Sequence, residues 1–338
     1  MTVVEPAGTA DTAGGDTYPR LLRTPSWRWW RPLLGLLALG FGVVFGGVVI
    51  TLLAVIVVTA TGKSGDSVTQ DALNPDTVLG LLANNLILAT IIPAAVLAVL
   101  VVHQERPGWL ASVIGRVRWG LLARLAPLAL VVVLVFFGLG LLVPGTAETD
   151  GSTPTTATLV GLLAVILLTT PLQAAAEETG FRGYITQAVS SWFARPVVGI
   201  LVGGAVSAVC FALAHGVQDP WLFADRLCFG VVASWLAWRT GGLEASVALH
   251  TANNLVSLVV SASTGTLSDS LTASSLDWRL AALDVTMMMV FAVLVDRLVR
   301  RRPVATRRVL SATGAVGYPL QRPPTPPPAG RENPWGMG

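Results

Sequence analysis

Apolar residues run through this chain in long blocks, without the two-residue alternation of half-buried strands. The first block, from Pro32 to Gly62, contains no charged side chain at all. A bilayer core about 30 Å thick takes roughly 20 helical residues to cross, so 33–59 predicts a first spanning helix. It lies behind some thirty residues and is too long for the core of a cleaved signal peptide. The same reading places further spans at 78–102, 125–143, 158–176, 197–214, 220–238, 245–260 and 280–298. Three of these carry ionisable groups: Asp225 and Arg226 in the sixth, His250 in the seventh, and Asp284 and Asp296 in the eighth. The expected fold is therefore all-α, a polytopic membrane helix bundle with about eight transmembrane helices.

Composition agrees. Of 338 residues, 53% are hydrophobic and 12% are charged, and the mean hydropathy is +0.68. Soluble domains carry about twice that share of charge. Too little polar surface remains to coat a water-soluble globule, which argues against a soluble enzyme, a disordered chain or a coiled coil. Cys210 and Cys228 fall inside apolar stretches without zinc-knuckle or redox spacing, and read as small buried hydrophobes. The chain contains no internal repeat, phosphate-binding loop or nucleic-acid-binding module, so no nucleic-acid partner is expected.

The distribution of arginine orients the bundle, since local Lys/Arg bias sets membrane topology. Twenty-one arginines and one lysine are present. Arg20, Arg23, Arg28 and Arg31 precede the first span, and Arg297, Arg300, Arg301, Arg302, Arg307 and Arg308 end the last. Arg106, Arg116, Arg118 and Arg124 lie between spans two and three. The loops after spans one, three and seven hold mainly acidic residues, with Lys63 and Arg279 as their cations. This alternation predicts a multi-pass protein of the cell membrane with both termini cytoplasmic. The domain reading is a disordered basic tail over 1–31, a transmembrane domain over 32–300, and a basic, proline-rich disordered tail over 301–338.

Ionisable groups inside a membrane need an account. Glu177, Glu178 and Arg182 facing lipid would cost on the order of 7–10 kcal/mol, so they must face a protein interior or a wet cavity, or lie at the helix end near the headgroups. On a helix Glu178 and Arg182 share a face, whereas Glu177 points about 100° away. That leaves a structural ion pair beside a carboxylate free to act as a base. The chain has three histidines. His103 reads as interfacial, while His215 and His250 lie in apolar segments. His250 and Asn254, four apart, stack on one helical face. Asn253 lies off that face and reads as a structural hydrogen-bonder.

Glu177-Glu178-x-x-x-Arg182, Phe211-x-x-x-His215 and His250-x-x-x-Asn254 resemble, in order and spacing, three motifs of the CAAX-processing and bacteriocin-processing intramembrane proteases. That family is also called type II CAAX prenyl endopeptidase-like, or the abortive-infection family. The resemblance covers a core of about 158–262. It implies hydrolysis of peptide bonds inside the membrane, with a membrane protein or peptide as substrate and the lipid bilayer as surroundings. By resemblance Glu177 is the general base, helped by His215. His250 and Asn254 stabilise the oxyanion or help hold a metal, and Glu178 and Arg182 form the structural pair. Glu177, His215 and His250 are the candidate ligands if the site takes zinc, and a metal-free glutamate mechanism suits the same residues. The alternatives are a non-catalytic membrane scaffold or adaptor, which would keep these residues for packing, and a transporter, which would show repeated or broken helices. Neither the substrate nor the oligomeric state is legible.

One spacing demands a structural answer. With Glu177 at the inner end of span four and His215 about 27 Å along span five, the two would stand apart. They meet if the fourth helix continues through Arg182 toward Trp192, carrying Glu177 to depth, or if span five is tilted or begins within the membrane; the light charge of 183–193 favours the first.

Overall fold

The computed structural model describes residues 15–62, 65, 67–144 and 153–308, and these are helical apart from their connections. In chain order the helices are α1 (Arg31–Ala60), α2 (Ser67–Leu73), α3 (Val78–Ala89), α4 (Ile91–Leu97), α5 (Trp119–Gly140), α6 (Thr156–Glu178), α7 (Thr186–Ser191), α8 (Pro196–Leu213), α9 (Pro220–Thr240), α10 (Glu244–Thr264), α11 (Leu267–Leu271) and α12 (Trp278–Arg301). π-helical turns over Ala98–His103 and Thr179–Ile185 extend α4 and join α6 to α7.

Helix ends fall where local chemistry ends them. Thr77 and Asp219 cap α3 and α9 by accepting from the backbone N–H groups of Gly80 and Leu222, at 3.0 and 2.7 Å. Pro32, Pro196 and Pro220 open α1, α8 and α9, where the missing N–H leaves no bond unmade. Gly241 and Gly265 close α9 and α10 at φ +72° and +74°, a left-handed conformation that glycine adopts without strain. Asp277 caps α12, and its hydrogen bonds with Arg279 hold its carboxyl down at about 2.

Seven helical stretches among the described residues are long and apolar enough to cross a membrane. Their bounds match seven of the eight expected spans, the fourth being far longer, Thr156–Ser191. The expected sixth span is a helix too, α9, but it falls outside those seven by its polarity. It nevertheless lies beside α12 from end to end. Leu276 N donates to Asp219 Oδ2 at one end, and Arg239 pairs with Asp296 at 2.7 Å at the other. α9 is therefore an eighth long helix packed beside the seven candidate spans.

Both described ends meet on one face. Thr17 and Arg307 form an isolated antiparallel bridge, and Arg308 pairs with Asp16 at 2.9 Å. The expectation of an unstructured N-terminal tail is corrected for residues 15–31. Tyr18, Leu21 and Leu22 are buried, and Tyr18–Arg20 forms a 3-10 turn. The Tyr18 hydroxyl donates to Leu110 O at 2.5 Å, and burial pushes its phenol well above the usual range. Residues 301–308 pack on the same face, where Arg118 donates to Ala305 O. The remainder of both expected tails, 1–14 and 309–338, lies outside the described residues.

Packing holds the bundle together in two parts. Leu125, Leu236, Leu249, Phe291 and Val295 are wholly buried where α5, α9, α10 and α12 meet. On the other side α1 leans on α4 through glycines: a Cβ on Gly42 would stand 2.8 Å from Ala94, and one on Gly46 2.7 Å from Thr90. Lipid offers no hydrophobic drive to helix association, so such close backbone approach supplies the dispersion contact instead. Cys210 and Cys228 are free and only partly buried, short of the full burial expected.

Candidate functional site

Glu177 reaches depth because its helix does not stop. The backbone runs on from α6 through the Thr179–Ile185 π turn into α7, ending at Ser191. Of the two ways for Glu177 and His215 to meet, this is the continuation toward Trp192. A π turn inserts a residue into the helical ladder and re-aims the side chains around it. Here the Phe181 carbonyl accepts from Thr186 Oγ1 at 3.0 Å and from Ser207 Oγ of α8 at 2.8 Å. Gly180 brings the turn against α4, where a Cβ would stand 2.5 Å from Ile91.

The expected Glu178–Arg182 pair is present and fully buried, Arg182 Nη1 donating to Glu178 Oε1 at 2.9 Å. Three aromatic rings enclose the guanidinium. Its Cζ lies 4.2 Å from the ring centre of Phe211, 5.2 Å from Phe229 and 5.9 Å from Phe181. A cation taken out of water gains from the negative ring faces, so Phe211, which precedes His215 by one helical turn, serves the ion pair as well as the histidine.

His250 stands between the two glutamates. Its Nδ1 lies 3.0 Å from Glu178 Oε1, and its Nε2 lies 3.6 Å from Glu177 Oε2. A carboxylate paired with Arg182 can only accept, so Nδ1 carries the hydrogen, and in the neutral ring Nε2 presents a lone pair toward Glu177. Phe229 and Phe211 pack edge-on against the imidazole at 5.0 and 5.9 Å between centres.

Glu177 is held by a partner that the motifs do not include. Gln173 Nε2 donates to Glu177 Oε1 at 2.6 Å, and Gln173 Oε1 accepts from Asn254 Nδ2 at 3.1 Å. Gln173 precedes Glu177 by four residues in an otherwise apolar stretch, and that i,i+4 spacing was the available signal. Asn254 thus orients Glu177 through Gln173 and keeps a second amide hydrogen. Glu177 Oε2 is buried without a hydrogen-bond partner among the described residues.

His215 lies in the turn just beyond α8, its Nδ1 2.8 Å from Phe211 O. A carbonyl accepts, so the hydrogen sits on Nδ1 and Nε2 is the open nitrogen. Glu177, His215, His250 and Asn254 all line one cavity of about 860 Å³, and Asn253, Asp225 and Arg226 line it too. Asn253 therefore faces the site, contrary to its expected structural role. His103, at the end of the Val78–His103 span, is buried, its Nε2 2.9 Å from Tyr184 Oη of the π turn.

The candidate zinc ligands do not gather as a set. Among the described residues no group of three or more His, Cys, Asp or Glu side chains is arranged to hold a metal ion. Only Glu177 Oε2 and His250 Nε2 face one another closely.

Residues 156–256 match the sequence profile of a family described as type II CAAX prenyl endopeptidase Rce1-like. The resemblance carried by the three motifs is thereby borne out for the segment that holds them, over which the chain is similar to that family. A curated relative, the uncharacterized protein YyaK of Bacillus subtilis (strain 168), is 34% identical over 100 residues, 28% of this chain and 33% of that protein. The similarity thus spans about a third of the length of that relative. No solved structure matches the chain. The seven apolar helices indicate a multi-pass membrane protein, similar over residues 156–256 to the CAAX endopeptidase family.

Proposed function

We propose that the protein is an intramembrane endopeptidase of the cell membrane, with cytoplasmic termini, that cleaves membrane-associated polypeptides through a water activated by Glu177. The observation that carries this reading is the facing pair Glu177 Oε2 and His250 Nε2 at 3.6 Å, each held from behind, on the wall of a cavity. Both atoms are acceptors. A water placed between them donates to both and turns its own lone pair outward to a substrate carbonyl.

The chemistry follows from that arrangement. As the water oxygen bonds to the carbonyl carbon, its proton passes to Glu177 Oε2. The tetrahedral oxyanion is met by the remaining Asn254 amide hydrogen. Glu177 then returns the proton to the departing nitrogen, the carbon–nitrogen bond breaks, and the carboxylate is ready again. Because the rigid Arg182–Glu178–His250 chain already orients the imidazole, little reorganisation is needed at the moment of reaction.

The test compares membrane peptidomes of cells carrying the wild type or Glu177→Gln. Fragments present with the wild type and missing with the variant, at equal amounts of membrane-inserted protein, support the reading and identify the substrate. Identical fragments in both refute it.

A further inference from the structure

The cavity holds a second carboxylate that the hydrolytic chemistry does not use. Asp225, on α9, lines the same cavity as Glu177 and is 8% exposed, and its Oδ1 has no hydrogen-bond partner among the described residues. The neighbouring Arg226 directs Nη1 away, to Gln218 Oε1 at 2.8 Å. A second acid backs Asp225 from α12. The two contacts that tie α9 to α12, Leu276 with Asp219 and Arg239 with Asp296, both join residues 57 positions apart. The helices therefore run in constant register, and Asp225 lies level with Ala282. Asp284 is two residues further, a rise of about 3 Å. The charged groups acting on Asp225 are Asp284, across the helix pair, and Arg226 on its own helix.

Two carboxylates at one depth of a helix bundle, one of them opening into a cavity, repel each other when both are ionised. Retaining an acid in a span is costly unless something is bound there. A cation entering the cavity relieves both penalties together. We propose that Asp225, backed by Asp284, is a subsite for the cationic side chain of a lysine or arginine in the polypeptide substrate. This deepens the endopeptidase reading and rests on it. The cavity suits such a side chain. Phe229 and Met288 line it as well and offer an apolar bed to the methylene stem, with the charged head reaching the acid. A bare metal ion is poorly served, since the described residues gather no third acidic or imidazole donor.

The experiment uses full-length protein in nanodiscs and a library of quenched fluorescent decapeptides with lysine or norleucine at each position in turn. Cleavage is read by mass spectrometry. Binding of the same peptides to Glu177→Gln protein is read by fluorescence anisotropy. The expected result is at least a 10-fold preference for lysine at one position, in kcat/KM and in binding. Asp225→Asn should bring that preference within 2-fold, and Asp284→Asn should weaken it. Thermal unfolding of each variant confirms the fold, and Asp225→Glu, which keeps the charge, should restore part of the preference. Equal binding of lysine and norleucine peptides, or a preference that survives Asp225→Asn, overturns the subsite. Lysine-selective binding that depends on Asp225, without cleavage by the wild type, upholds the subsite and removes the protease reading instead.

Discussion

His250 Nδ1 lies 3.0 Å from Glu178 Oε1, the same oxygen that accepts Arg182 Nη1 at 2.9 Å. That shared atom turns two adjacent glutamates into groups with different tasks. Glu178, charge-paired and buried, fixes the tautomer and the angle of His250. Glu177, held by an amide and not by a cation, keeps an oxygen for water. The difference arises from the 100° that separates successive residues on a helix.

Removing Arg182 strands a buried carboxylate, which typically costs 3–5 kcal/mol. Arg182→Ala is therefore expected to lower the unfolding midpoint sharply, measured by thermal unfolding in detergent. Arg182→Lys should recover only part of the loss, because an ammonium does not present a planar face to Phe211 at 4.2 Å. Glu178→Gln should unfold less readily than Arg182→Ala yet lose turnover, since the imidazole is no longer held by a charge.

Gln173→Ala should lower kcat by 10- to 100-fold, with KM within about 3-fold, because it frees the Glu177 carboxylate to swing without touching substrate. Asn254→Ala should also lower kcat, and the double variant should be less impaired than the product of the two losses. Such non-additivity is the signature of one chain from Asn254 through Gln173 to Glu177. Steady-state kinetics on a substrate identified from the peptidome check it.

The face where the ends meet rests on Arg118, which grips Glu244 through Nε at 2.9 Å and Nη2 at 2.5 Å and donates Nη1 to Thr240 O at 2.9 Å. Both side chains are buried. Arg118→Ala should cost about 3–5 kcal/mol. Replacing both partners, Arg118→Met with Glu244→Leu, should give back much of it. Unfolding monitored by intrinsic tryptophan fluorescence distinguishes the two.

Gly203 of α8 admits no side chain: a Cβ there would lie 2.4 Å from Ser190 Oγ and 2.6 Å from the Thr186 carbonyl. Because one contact is backbone, relief requires α7 and α8 to part. Gly203→Ala should destabilise by about 1–3 kcal/mol. Ser190→Ala does not remove the carbonyl contact, so adding it should restore little.

How much of this was legible follows from the reach of each interaction. The first, long spans and the Glu178–Arg182 pair depend on local period and charge, and both could be read directly. His250 facing two glutamates more than seventy positions away could not, since only the packing of α10 on α6 brings them together. The resemblance named the residues without their contacts. Gln173 was passed over because an amide in an apolar run carries no charge to explain. Tyr18–Leu22 read as tail because five residues cannot announce that Trp109, Leu110, Val113 and Leu243, far along the chain, will cover them. That His103 ends a span could be read from its neighbours Glu105 and Arg106, but its partner Tyr184, eighty-one positions on, could not. Asp225 and Arg226, the charged residues within the expected sixth span, line the cavity.

The central claim, that Glu177 activates water to split a peptide bond, is tested most directly by following cleavage in ¹⁸O-labelled water with wild-type and Glu177→Gln protein in nanodiscs. The wild type should place one ¹⁸O atom in the newly formed carboxylate, and the variant should form at least 1,000-fold less of that product with its fold intact. Labelled product at the wild-type rate from Glu177→Gln would contradict the assignment.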